Sequence, residues 1–314
     1  MAVARKTFTS HENGPFIRRY LTSRLGDPWP ALTTREQEAL IARIIRNEQF
    51  SGLQLRAFAV AGKSFHLLID EPTQLKLSDD EMMIRLKALN PYRYEVDKAK
   101  LESEDVDTWE KLRSRFGNPT QFIKNIKQET SHHYHQSRQT SGALWAKRYT
   151  NTFVEAGHPS RFLAAWIAFL NFRTGENKEP EESTLNYYGK AVAGDSRARQ
   201  LVHSLYLGSE IEASWEQSEQ AFRDFVSGEP YYPIKKKKSK GKPPLLTRAE
   251  CFRTNIEALS SGLALGTRGY VEDFFEHNRK HFGKKRKSGA RRISGQNDPD
   301  LWTARKFEDL RLLS

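Results

Sequence analysis

Hydrophobic and polar positions along the chain switch between two periods, and the switches outline its elements. Residues 16–25 (FIRRYLTSRL) read as a first strand. Thr34-Arg-Glu-Gln37 fits a capping box, in which a Thr hydroxyl and a Gln side chain satisfy each other's orphan amides. Behind it Leu40, Ile41, Ile44 and Ile45 recur at helical spacing. Residues 53–60 contain a short alternation and residues 65–69 are a compact apolar run. The short link 61–64 (AGKS) joins them as a hairpin. Residues 71–117 are polar, with an acidic stretch over 95–110, and are expected to form an insertion facing solvent. Asn118-Pro119, with Gln121 at N3, opens another helix that carries Phe122, Ile123 and Ile126 to about residue 137. Residues 148–155 suit a strand, and residues 159–172 a strongly apolar helix.

The order strand, helix, strand, strand, helix, strand, helix predicts an α+β fold: a ferredoxin-like antiparallel sheet covered by helices. A helix near 195–227 is expected next. Residues 230–244, containing KKKKSKGK, have the composition of a linker, because adjacent lysines repel and prolines interrupt. Beyond it, residues 247–260 and 267–282 read as two helices around a turn at 262–266, the outline of a helix-turn-helix. The expected division is a domain over 1–228 containing the insertion, a basic linker over 229–246, and a basic helical region over 247–314.

Charge sharpens this picture. The 314 residues include 51 Lys and Arg against 39 Asp and Glu, a net +12. Residues 235–314 hold 20 basic and 9 acidic side chains; residues 1–234 hold 31 and 30. Nearly all the surplus therefore lies in the last quarter, the pattern of a contact with nucleic acid or of a basic tail. Between 279 and 292 there are eight basic side chains and no acidic one. The single cysteine, Cys251, excludes an internal disulfide framework and a cysteine-based zinc site. No signal-peptide pattern opens the chain, and the longest nearly apolar run, 162–172, is too short to span a bilayer. A cytoplasmic protein without a membrane partner is expected.

Several segments, taken in order, resemble one family. The hairpin strand Ser64-Phe-His66-Leu-Leu is similar to the strand of HUH transposases in which two histidines flank one hydrophobic residue. Gly142-Ala-Leu-Trp145-Ala-Lys-Arg148-Tyr149 resembles the Gly-x-Leu-Trp-x-x-Arg-aromatic signature of REP-associated tyrosine transposases, which belong to the single-tyrosine HUH class. The stretch from Ala164 through Trp166, Ile167 and Leu170 to Gly175 looks like that family's catalytic helix. Residues 188–194, 262–279 and 282–291 also resemble its long members. The resemblance implies an HUH-type sheet and DNA as partner, in hairpin or single-stranded form. It also implies a divalent ion such as Mg2+ or Mn2+ on the histidine pair and a polar side chain. In such enzymes the metal absorbs phosphoryl charge while a tyrosine attacks. Relatives work as dimers or monomers, so a homodimer stays open.

This sequence departs from that pattern at the reacting positions. Ser64 stands at the first histidine, Trp166 at the tyrosine and Leu170 at the polar ligand; only His66 is kept, as a residual candidate ligand. The sequence therefore implies a transposase-like DNA-binding protein with a degenerate active site, no confident catalytic residue and no resident cofactor. One alternative is an active strand transferase rerouted through Tyr134 or Tyr149, with metal on His66 and a histidine among His132, His133 and His135. RNA binding and a purely structural role are the others. Candidate DNA contacts are Trp145 and Arg148, the linker lysines Lys235, Lys236, Lys237 and Lys238, and the C-terminal Lys284, Lys285, Arg286, Lys287, Arg291 and Arg292.

Overall fold

The computed structural model describes residues 8–12, 14–90, 94–103, 106–146, 148–170, 262–284, 286–293 and 301–304, with isolated positions between 217 and 259. The expected helix near 195–227, the linker with Lys235, Lys236, Lys237 and Lys238, and Lys285 lie outside these residues or almost entirely so.

The first strand, β1 (Phe16–Arg24), runs antiparallel to β3 (Ser64–Pro72) on one side and to β4 (Thr150–Val154) on the other. β2 (Gln54–Ala61) pairs with β3 as the expected hairpin. Gly62 has φ 54, the left-handed conformation a two-residue link needs. Helix α1 (Thr34–Ser51) joins β1 to β2. Helix α5 (Pro119–Arg138) precedes β4, after three short helices in the expected insertion: α2 (Asp79–Leu89), α3 (Tyr94–Ser103) and α4 (Val106–Arg113). Strand order β2-β3-β1-β4 with two crossing helices is the ferredoxin-like arrangement read from the sequence. The fold is α+β.

Adjacent residues of a strand point to opposite faces of the sheet, so each face has its own cover. On one face Phe65 meets Trp145, ring centroids 5.5 Å apart, and the Trp145 indole N–H donates to the Lys127 carbonyl and Ser131 hydroxyl of α5. Helix α1 packs beside α5, burying Leu40, Ile41, Ile44 and Ile45. On the other face His66 and Tyr20 meet Trp166 of α6 (His158–Ala168). Ala57, Ala59 and Ala61 share that second face by register, and their methyl groups let α6 lie close on β2. Nearly every position of α6 is buried, with Phe252 against Phe162 on its outer side. Such a helix is apolar all round because it lies inside the protein.

The sheet continues beyond β4. Strand β5 (Ala264–Gly266) pairs parallel with β4, then β7 (Trp302–Ala304) and β6 (Ala290–Arg292) complete a seven-stranded order β2-β3-β1-β4-β5-β7-β6. Helix α7 (Arg268–His277) follows β5 and ends in a short 3-10 turn at Arg279–His281.

Three expectations are corrected. The capping box belongs to Thr33 and Glu36, one residue before the pair read from the sequence. Glu36 is also held by Arg138 of α5, two bonds of 2.8 Å, and that distant partner selects the register. The polar insertion does not simply face solvent: Met82, Leu86, Leu101 and Leu112 bury with Phe50 of α1 in a small core. The turn expected at 262–266 contains β5, whose apolar Ala264 and Leu265 join the sheet, while the helix expected over 247–260 lies almost entirely outside the described residues.

Candidate functional site

His66 sits at the centre of β3, opposite Thr22 of β1 and Ala59 of β2. Its Nδ1 shares a short hydrogen bond with the Tyr20 hydroxyl, and its Nε2 lies 3.2 Å from Ser64 Oγ. Trp166 closes the group from α6, its ring 5.8 Å from the imidazole at an interplanar angle of 68°. Leu170, just past the end of α6, is buried. Ser64, His66 and Trp166 are thus brought together, as the resemblance implies, with Leu170 beyond the C-terminal end of α6.

The resemblance implies a metal ion here, and these residues do not fit one. A metal-bound imidazole presents a free lone pair, and several donors must converge on the ion. Here both ring nitrogens of His66 are engaged by hydroxyls. The neighbouring side chains are an indole and an isobutyl group. Among the described residues no three His, Cys, Asp or Glu side chains are grouped to hold a metal. Trp166 has no oxygen with which to attack phosphorus.

The rerouted alternative is separated by the sheet itself. Tyr134 and His135 lie on α5, across the sheet from His66. The Tyr134 hydroxyl is buried, with Trp29 edge-on to its ring and Arg138 over it, and burial pushes its phenol pKa up. His135 fastens a loop: its Nδ1 is 2.9 Å from Thr140 Oγ1 and its Nε2 3.0 Å from the Gly142 carbonyl. A carbonyl only accepts, so Nε2 carries a proton. In the neutral ring Nδ1 then accepts from Thr140. The Tyr149 hydroxyl pairs with Thr120 Oγ1 at 2.8 Å, also on the α5 side.

The Gly142–Tyr149 signature is therefore fastened at several points. Trp29 donates to the Ala143 carbonyl, the Gly26 amide to that of Leu144, and Trp145 to α5. Trp145 is half-buried and anchored by these bonds, while Arg148 projects into solvent. Lys124 and Lys127 stand beside them on α5. Neither was among the expected contacts; the signal in the sequence is a basic pair three residues apart on the helix that precedes the Gly142–Tyr149 signature.

The C-terminal cations have an ordered support. Arg279 donates to the carbonyls of Gly283, Lys284 and Arg286, and Glu272 accepts from Ser288 and from the Gly289 amide. Arg286 lies over the rings of Phe275 and Phe282 and pins this loop from within. Lys284, Lys287, Arg291 and Arg292 are exposed on the loop and on β6, the outermost strand. Among the described residues no helix is long and apolar enough to cross a membrane.

No family model matches the sequence, and no curated protein matches it. Among solved structures, a REP-associated tyrosine transposase bound to a REP hairpin is similar at a TM-score of 0.35 and 15% identity, over 68% of this chain and 96% of that one.

Proposed function

We propose that this protein binds DNA, at single-stranded or hairpin ends, and is a transposase-like protein that no longer cuts the strand. The observation that carries the reading is the exposed set Lys284, Lys287, Arg291 and Arg292 on β6 and the loop that leads into it, within the quarter of the chain that holds the charge surplus. Cations fixed on a folded support contact phosphates without the ordering cost a free tail incurs, and each contact releases counterions. They position a strand and do not by themselves read its sequence. The absence of cutting rests on Ser64, His66, Trp166 and Leu170. Trp166 carries no oxygen where the resemblance places the attacking phenol, and the four side chains form no convergent ligand set.

A paired assay tests both halves. Labelled single-stranded and hairpin DNA are incubated with the full chain and Mg2+ or Mn2+; a salt titration reports binding, and a denaturing gel reports cleavage and covalent adduct. Salt-sensitive binding without product is the expected result. An adduct overturns the loss of catalysis, and no binding at any salt overturns the DNA reading.

A further inference from the structure

An open recess of about 520 Å3 lies on the outer side of α5, lined in part by Ile123, Lys124, Lys127, Trp145, Arg148 and Tyr149. Its size falls within the range of small-molecule sites. Its floor is an aliphatic side chain and two aromatic rings, and three cations stand around it. Among the described residues no carboxylate lines it. Two adjoining recesses differ: Glu71 lines the one that shares Thr120 and Tyr149, and Glu129 the one that shares Gln128.

Both rings are held in place before any ligand arrives. Trp145 donates to Lys127 O at 3.1 Å and to Ser131 Oγ at 3.0 Å, and the Tyr149 hydroxyl is bonded to Thr120. The Lys127 ammonium lies 5.3 Å from the indole centroid, and burial holds its pKa below the usual range. Lys124 and Arg148 are exposed at the rim. Fixed aromatic faces beside cations match one ligand chemistry: an unpaired base that stacks, with phosphates on both sides. A double helix hides its base faces, so it cannot use such a floor.

Resting on the nucleic-acid reading above, we infer that this recess takes an unpaired nucleotide, with its base against Trp145 and Tyr149 and its phosphates along Lys124, Lys127 and Arg148. The recess lies across the sheet from His66 and Trp166, so the changes at Ser64, Trp166 and Leu170 leave it intact. A strand held here is not presented to the Trp166 position.

The test is fluorescence anisotropy on the full chain with a short labelled thymidine strand, an abasic strand of equal charge, a blunt duplex and the matching RNA. Three proteins are compared: the natural chain, K124Q/R148Q, and K284Q/K287Q/R291Q/R292Q. Both sets of residues are exposed, and circular dichroism confirms folding. The natural chain is expected to prefer the thymidine strand over the abasic one by about tenfold, the scale of one stacked base. K124Q/R148Q is expected to erase most of that affinity and to flatten the logarithmic salt slope by about 1.4, two phosphates' worth on a single strand. Equal binding of thymidine and abasic strands overturns the recess. So does a loss confined to the C-terminal variant, which leaves the DNA reading standing. Preference for RNA keeps the recess and overturns DNA as its ligand. No binding to any strand overturns both.

Discussion

His66 and Trp166 meet edge to face, 5.8 Å apart, where β3 lies under α6, and Tyr20 joins them through a hydrogen bond to the imidazole. Trp166 is among the largest fully buried side chains of the molecule. The position that the resemblance assigns to a nucleophile has therefore become core. Restoring the phenol alone leaves it buried, with no second ligand and no metal. W166Y is expected to give no covalent DNA adduct on a denaturing gel with Mn2+. Truncation to W166A is expected to destabilise by about 3–5 kcal/mol in denaturant titrations, the range for a buried aromatic. An adduct with W166Y would show that one ring change suffices for attack.

Asp70 lies almost wholly inside, its side chain 2% exposed, between the guanidinium groups of Arg18 and Arg56. Burial opposes its charge, but Arg18 and Arg56 outweigh that and hold the carboxyl below the usual range. Arg18 also reaches Ser160 on α6, so the triad ties β1, β2 and β3 to the start of that helix. Removing the carboxylate leaves two cations facing each other in a shielded place. D70A is expected to cost about 3–5 kcal/mol, as breaking a buried ion pair does. A loss below about 1 kcal/mol, the scale of a surface pair, would show that water screens the site.

Glu36 caps α1 at a point where the local pattern allows two registers. Both Thr33/Glu36 and Thr34/Gln37 fit a capping box on local grounds. The choice between them is made by Arg138, about a hundred residues away, and no local pattern carries that information. The same holds for β5: Ala264 and Leu265 pair with β4 across more than a hundred residues, and three residues are too few to display a strand period. Elements with a long apolar repeat or a strong cap, such as α5 behind Asn118, are legible from the local pattern alone. The hairpin around His66 was equally plain, while the recess on α5 was not. It needs Lys124 and Lys127 beside Arg148, and only the folding of the 139–149 loop back onto α5 brings them together.

The Glu36–Arg138 pair also predicts a pH dependence. Its hydrogen bonds to Arg138 lower the Glu36 pKa from 4.5 to about 2, with bonds to Thr33 adding to the effect. A depressed carboxylate pKa stabilises the folded state above the unfolded value and loses that contribution as pH falls through the folded one. Stability is therefore expected to decline between about pH 4.5 and 2. E36Q should flatten that limb and cost about 1–2 kcal/mol at neutral pH, discounted for partial exposure. Denaturant midpoints measured across that window check it; parallel curves for E36Q and the natural chain would remove Glu36 as the cause.

Gly289 connects the packing of α7 to the basic edge. A methyl group placed there would overlap the Phe275 side chain, which is fully buried under the loop. Phe275 also carries Arg279 and Arg286 over its ring, and these two arginines hold the loop that presents Lys284 and Lys287. G289A must therefore push the loop outward or unseat Phe275. Overpacking of this kind costs about 1–3 kcal/mol. Because the cations themselves remain, the effect on DNA separates support from charge. If the loop's order matters, G289A is expected to weaken DNA binding several-fold while changing the salt slope little, whereas K284Q/K287Q lowers both. Equal affinity for G289A and the natural chain, with the stability loss present, would show that these lysines act as a flexible cationic tail.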